Sequence, residues 1–74
     1  MGRLAGFKYK DVARKFRALG FSFDRQARGS HEVWRHQQDG RKATLVRHAK
    51  PIAEGTLRAL LREAQTGENE FLDG

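Results

Sequence analysis

Three histidines are the side chains of this protein that exchange protons near neutral pH. His31 is the strongest candidate for chemistry, because it follows Gly29-Ser30 at the start of a strand-like run, and a turn of small residues lets a phosphate approach the backbone. The same pattern is equally typical of a half-buried strand histidine, since it shows no carboxylate placed to orient the ring. The spacing alone therefore leaves catalysis and a structural role open for His31.

The other two histidines differ in their surroundings. His48 follows Arg47 and precedes Lys50, which suits phosphate binding or a second proton transfer. His36 lies beside a predicted hairpin turn and is interpreted as a solvated strand residue. A metal site made of all three is not favoured, because two share a strand at opposite parity and no pair has the helical i, i+4 spacing. We therefore expect no metal.

Several functional classes lack their sequence signals. The chain has no cysteine, which excludes disulfides, thiolate nucleophiles and thiolate zinc sites. It also lacks a phosphate-binding glycine-rich loop and a Gly-x-Ser-x-Gly motif. No apolar run is long enough for a membrane span or a secretory signal, so we expect a cytoplasmic protein without a small-molecule cofactor.

The net charge of +6 is unevenly distributed. Residues 1–50 carry 13 Lys and Arg against 4 acids, whereas residues 51–74 carry 2 against 5. A basic surface favours a phosphate polyanion through counterion release, although solubilising charge is the alternative. RNA supplies its own 2′-hydroxyl nucleophile, so one histidine and a few cations suffice to cut it. The candidate RNA- or phosphate-binding residues are Arg28, Ser30, Lys42, Arg47, His48 and Lys50.

The elements that would position these residues start with a helix. We predict one domain over residues 1–74, with residues 1–7 as a loose leader. Val12, Phe16 and Leu19 have helical spacing, which predicts a helix that begins near Tyr9 and ends at Gly20.

Three strands are expected next. Residues 21–23 predict a short strand with both phenylalanine rings facing the helix. Residues 30–36 and 41–47 predict an antiparallel hairpin around Asp39-Gly40. The alternation within residues 31–36 does not decide which face is buried, and Trp34 is interpreted as a core residue rather than a platform for a base.

The C-terminal part predicts helices. Residues 48–51 are irregular because of Pro51, and a helix of about three turns begins between Ile52 and Thr56. The Thr66 hydroxyl is expected to cap a last short helix. The order predicts an α+β fold of α-β-β-β-α type, in which both main helices cover one face of a three-stranded antiparallel sheet.

Five segments in this order resemble the HicA family of bacterial and archaeal toxins. They are Leu19-Gly20-Phe21, Gly29-Ser30-His31, Asp39-Gly40-Arg41, Arg47-His48 and Gly55-Thr56-Leu57-Arg58, and the similarity runs from about Val12 to Leu72. The resemblance implies a fold like the double-stranded-RNA-binding domain, cleavage of messenger RNA, and neutralisation by a HicB-type antitoxin. It also implies that His31 is the catalytic residue.

Two alternatives remain. A non-catalytic double-stranded-RNA-binding module shares the element order, but its second helix would open with a lysine cluster, whereas residues 53–56 contain no lysine. A pure interaction protein would bind a partner on the open sheet face and would give His31 no task.

Overall fold

A three-stranded antiparallel sheet flanked by helices is seen in the computed structural model, which describes residues 2–73. The elements are α1 (Tyr9–Ala18), β1 (Phe21–Gln26), β2 (His31–His36), β3 (Lys42–Val46), α2 (Glu54–Glu63) and α3 (Glu68–Asp73). This order confirms the predicted α+β architecture. Among residues 2–73, no helix has the length and apolar character needed to cross a membrane.

The central strand β2 separates a buried face from an exposed one. It pairs with β1 on one side and with β3 on the other. Glu32 and Trp34 point into the interior, where Trp34 is 1% exposed, and His31 and Arg35 lie on the outer face. The prediction that Trp34 belongs to the core is confirmed. Because side chains alternate between the two faces along β2, His31 lies outside the core.

The core lies between the buried sheet face and the helices. Phe16 of α1 stacks on Phe21 of β1, with ring centroids 4.8 Å apart, and meets the edge of Trp34 at 6.3 Å. The predicted apolar positions of α2 are buried as its i, i+3, i+4 spacing requires, and they are Leu57, Leu60 and Leu61. Both helices therefore form as amphipathic elements that cover the sheet.

The prediction of a loose leader over residues 1–7 is wrong at Leu4 and Phe7. Leu4 is fully buried, and the Phe7 ring packs against Phe71 with centroids 5.3 Å apart. The backbone of Ile52 donates to the Phe7 carbonyl at 2.7 Å. Two apolar side chains are too few to show a period, which is why the sequence pattern did not reveal this packing. Met1 lies outside the described residues.

The prediction of a solvated His36 is also wrong. Its side chain is buried, with Nε2 3.0 Å from the Leu19 carbonyl oxygen. This approach needs Gly20, whose φ is +100°, because a Cβ there would lie 2.9 Å from the same nitrogen. The histidine thus joins β2 to the end of α1.

Two smaller predictions need correction. Strand β1 is longer than residues 21–23, and Phe23 is 50% exposed, although its ring still meets the edge of Trp34 at 6.4 Å. A register shift between Phe23 and Arg25 lets β1 continue along β2 to Gln26. The Thr66 hydroxyl does not cap α3, because it donates to the Ala64 carbonyl at 3.2 Å.

Replacement of Leu4 tests whether the leader is part of the folded core. Leu4→Ala is expected to lower the free energy of unfolding by about 2–5 kcal/mol, because it leaves a cavity among buried side chains. The neighbouring exposed change Ala5→Ser is the control and should stay within about 0.5 kcal/mol. Urea denaturation followed by tryptophan fluorescence measures both, and equal effects of the two changes would contradict the packing of Leu4.

Candidate active site

The imidazole of His31 is exposed but fixed in orientation. It stands at the first position of β2, with Nδ1 3.0 Å from the Arg28 carbonyl oxygen. A carbonyl oxygen only accepts hydrogen bonds, so Nδ1 carries the proton in this contact. In the neutral ring, Nε2 then holds the lone pair. In this tautomer Nε2 is the ring nitrogen that can accept a proton.

The turn before His31 is tied to the sheet at both ends. The Gln26 side-chain amide donates to the carbonyls of Gly29 and His31, at 2.8 and 3.0 Å. The Ala27 N–H donates to the same His31 carbonyl at 2.8 Å. Gly29 has φ of +58°, in the left-handed region that favours glycine. Sequence reasoning missed the bridging role of Gln26, which depends on where the two carbonyls point.

The end of β3 lies directly beside this turn. Val46 is paired with His31, and the Arg47 N–H donates to the Ser30 carbonyl at 2.9 Å. Arg47 and His48 therefore leave the sheet next to the Ser30-His31 pair. The antiparallel register thus brings together two segments that the sequence showed separately.

His31 and His48 line one opening, which we call the histidine cleft. It lies between β3 and α2 and has a volume of about 330 Å³. Its lining consists of His31, Thr44, Leu45, Val46, His48, Ile52, Thr56, Ala59, Leu60 and Glu63. The Glu63 carboxylate accepts the Thr44 backbone N–H at 3.0 Å, which joins α2 to the edge of β3. The cleft therefore lies between two elements that are hydrogen-bonded to each other, and its lining includes the imidazoles of His31 and His48.

A second opening, which we call the basic hollow, adjoins the cleft at His48. Its volume is about 540 Å³, and its lining consists of Lys8, Tyr9, Lys10, Arg47, His48 and Ala49. Sequence reasoning missed Lys8 and Lys10. The only signal was a Lys-Tyr-Lys triplet at the start of the predicted helix, and nothing local places that triplet beside the end of β3.

A buried carboxylate lies beneath Arg47. Glu32 is 3% exposed, and its Oε1 accepts hydrogen bonds from the Tyr9 hydroxyl at 2.7 Å and from Trp34 Nε1 at 3.0 Å. Arg47 Nη1 lies 3.8 Å from Oε2, and the guanidinium covers the Tyr9 ring at 5.6 Å. Sequence reasoning missed this role, because a glutamate in a strand usually faces solvent.

The environment of Tyr9 raises the pKa of its hydroxyl above the ordinary value of 10.0. Burial contributes most, followed by the hydrogen bond to Glu32 and then by the charge of Glu32. Arg47 and Arg17 act in the opposite direction. The protonated phenol is therefore the form that this contact stabilises.

The remaining sequence candidates are placed as follows. Arg28 is exposed on the turn, where its carbonyl anchors His31. Lys42 opens β3 opposite Arg35, about 13 Å along the strand from the residue paired with His31, so the structure does not bring it to the cleft. Lys50 is exposed and lines neither opening. Among residues 2–73, no three His, Asp or Glu side chains are grouped so as to hold a metal ion.

Titration of Tyr9 tests the buried carboxylate contact. Tyr9 is the only tyrosine, so the tyrosinate absorbance near 295 nm reports on it alone, and its midpoint is expected above 10.0. Glu32→Gln should lower the midpoint without abolishing the shift, since burial is the larger cause. Because the folded pKa exceeds the unfolded one, the contribution of Tyr9 to stability is complete below pH 10.0 and is lost as the pH rises through the folded pKa. A midpoint at or below 10.0 in the unsubstituted protein would refute the contact.

Comparison with known families gives this site a context. Residues 9–66 match the family model described as the HicA toxin of bacterial toxin–antitoxin systems. No curated protein matches the chain closely enough to count as a relative. The matched range contains the Gly-Ser-His turn, the end of β3 and all of α2. Since the match to this family model covers more than half of the sequence, the chain belongs to the HicA toxin family.

Proposed function

We propose that this toxin is a metal-independent endoribonuclease that cleaves messenger RNA in the cytoplasm and is neutralised by a HicB-type antitoxin. Membership of the HicA family and the net charge of +6 support this proposal. The observation that carries it is the hydrogen bond from His31 Nδ1 to the Arg28 carbonyl. This bond directs the basic Nε2 of an exposed ring away from the backbone, as a general base requires.

His31 acts on the ribose 2′-hydroxyl. Its Nε2 takes the hydroxyl proton while the 2′-oxygen forms a bond to phosphorus. The bond between phosphorus and the 5′-oxygen of the next nucleotide then breaks, and that oxygen takes up a proton. The products are a 2′,3′-cyclic phosphate and a 5′-hydroxyl. A positioned base accelerates such a step by about 10²- to 10⁴-fold.

Arg28 and Arg47 provide positive charge for the phosphate. Arg28 lies on the turn that carries His31, and the backbone of Arg47 is bonded to Ser30 in that turn. Negative charge on the phosphate oxygens grows as the 2′-oxygen attacks, so cations already in place lower the barrier.

His48 is the second proton-transfer group in this proposal. It shares the histidine cleft with His31 and is exposed. When His31 removes a proton on one side of the phosphate, the leaving 5′-oxygen needs a proton on the other side. His48 in its protonated form supplies that proton, and its charge also attracts the phosphate.

Substitution of His31 tests the proposed nuclease. We expect His31→Ala to lower single-turnover cleavage of RNA by about 10²- to 10⁴-fold in the presence of a chelator, with an unchanged circular dichroism spectrum. Arg35→Ala is the matched control, because Arg35 is exposed on the same strand face and lines neither opening. A substrate with a 2′-deoxy sugar at the cleavage position should stay intact. Equal cleavage by the wild-type protein and His31→Ala would reject the proposal.

The role of His48 is tested with a better leaving group. A substrate with sulfur in place of the bridging 5′-oxygen does not need protonation of the leaving atom. We expect His48→Ala to be slow on ordinary RNA but close to the wild-type rate on the sulfur substrate, whereas His31→Ala should be slow on both. Equal slowing of His48→Ala on both substrates would show that His48 does not donate the proton.

A further inference from the structure

The basic hollow shares Arg47 and His48 with the proposed cleavage step, but its two lysines take no part in the bond-making steps described above. Lys8, Lys10, Arg47 and His48 contribute cationic or titratable groups, and no acidic side chain is among its lining residues. Its volume of about 540 Å³ lies within the range of ligand sites in proteins. Clustered cations of this kind attract a polyanion.

The base of the hollow is held in place from two sides. The Lys8 N–H donates to the Asp11 carboxylate at 3.0 Å, which fixes the backbone at the start of α1. The Arg47 guanidinium covers the Tyr9 ring at 5.6 Å, while the Arg47 side chain is still 70% exposed. One face of the guanidinium is therefore directed to Tyr9, and its exposed area is available to a planar group.

We propose that the basic hollow is a binding subsite for single-stranded RNA. Lys8 and Lys10 contact the phosphate next to the one that is cut, and a nucleobase stacks on the exposed part of the Arg47 guanidinium. This inference rests on the proposed function, because it assigns the histidine cleft to the scissile phosphate.

Continuity between the two openings favours RNA over an acidic peptide. His48 lines both, so a strand whose scissile phosphate lies at His31 passes His48 and enters the hollow directly. Alternating phosphates and planar bases fit lysines placed beside an arginine stacked on an aromatic ring. An acidic segment of the antitoxin would bind the lysines but has no planar base to stack on the Arg47 guanidinium.

The test compares two double variants that remove the same charge. Lys8→Ala/Lys10→Ala changes the hollow, and Arg58→Ala/Arg62→Ala removes two cations of α2 that line neither opening. The probe for binding is a non-cleavable 2′-O-methyl oligonucleotide of two to eight nucleotides, followed by fluorescence anisotropy at several salt concentrations. The probe for catalysis is the corresponding RNA.

The hollow variant is expected to lose affinity for the longer oligonucleotides only, with the slope of log K against log salt reduced by about 0.7 for the one phosphate that the two lysines contact. Its KM should rise while kcat is retained, because the chemical groups are untouched. The α2 variant should bind and cleave as the wild type does. If both double variants lose the same affinity for the oligonucleotides, or if the hollow variant loses affinity for the antitoxin alone, the proposed subsite is wrong. If the wild type binds but does not cleave, the nuclease proposal fails while the binding assay still decides the subsite.

Discussion

The buried carboxylate of Glu32 is the constraint on which the arrangement of the site depends. An ionised group taken out of water is costly unless it is paired, and here the partners come from three separate elements. Tyr9 comes from α1, Trp34 from β2, and Arg47 from the chain just after β3. Moving any of these elements away would leave a buried oxygen without its partner. Helix α1 and the end of β3 are thereby held against the strand that carries His31.

The same carboxylate fixes which way the central strand faces. Side chains alternate along a strand, so burial of Glu32 and Trp34 obliges His31 to stand on the outer face. A shift of one residue in the pairing would bury His31 and expose Trp34. The exposure of the proposed base is therefore a consequence of core packing. A domain of 74 residues has a small interior, and the candidate site lies at its surface, at the junction of a strand end, a turn and a helix.

Features set by local spacing could be predicted from the sequence. Helix α1 follows from its apolar period, the β2–β3 hairpin from Asp39-Gly40, and the irregular segment before α2 from Pro51. His31 could be identified as a candidate for chemistry because it follows two small residues, Gly29 and Ser30. These inferences need only neighbouring residues, since helix and turn geometry are decided within a few positions.

The features that sequence reasoning missed depend on contacts between distant segments. Leu4 is buried by elements that follow it in the chain, and two apolar residues show no period. His36 reaches the Leu19 carbonyl only because Gly20 leaves room for it. Lys8 joins the site only because α1 lies beside the end of β3. No local pattern encodes such approaches, which is why the candidate site was predicted in part and the basic hollow was not predicted.

The group that orients His31 also affects the charge that the proposed substrate would meet at the ring. Many catalytic histidines are oriented by a carboxylate, which adds a negative charge close to the reacting atoms. Here the neutral carbonyl of Arg28 selects the same tautomer. A phosphate that approaches Nε2 therefore meets no added repulsion from the orienting group. The neighbouring carboxylate, Glu32, is buried on the opposite strand face, with Arg47 between it and solvent. The carboxylate that does line the histidine cleft, Glu63, accepts the Thr44 backbone N–H. In the proposed nuclease, His31 is thus oriented without a second negative charge bonded to its ring.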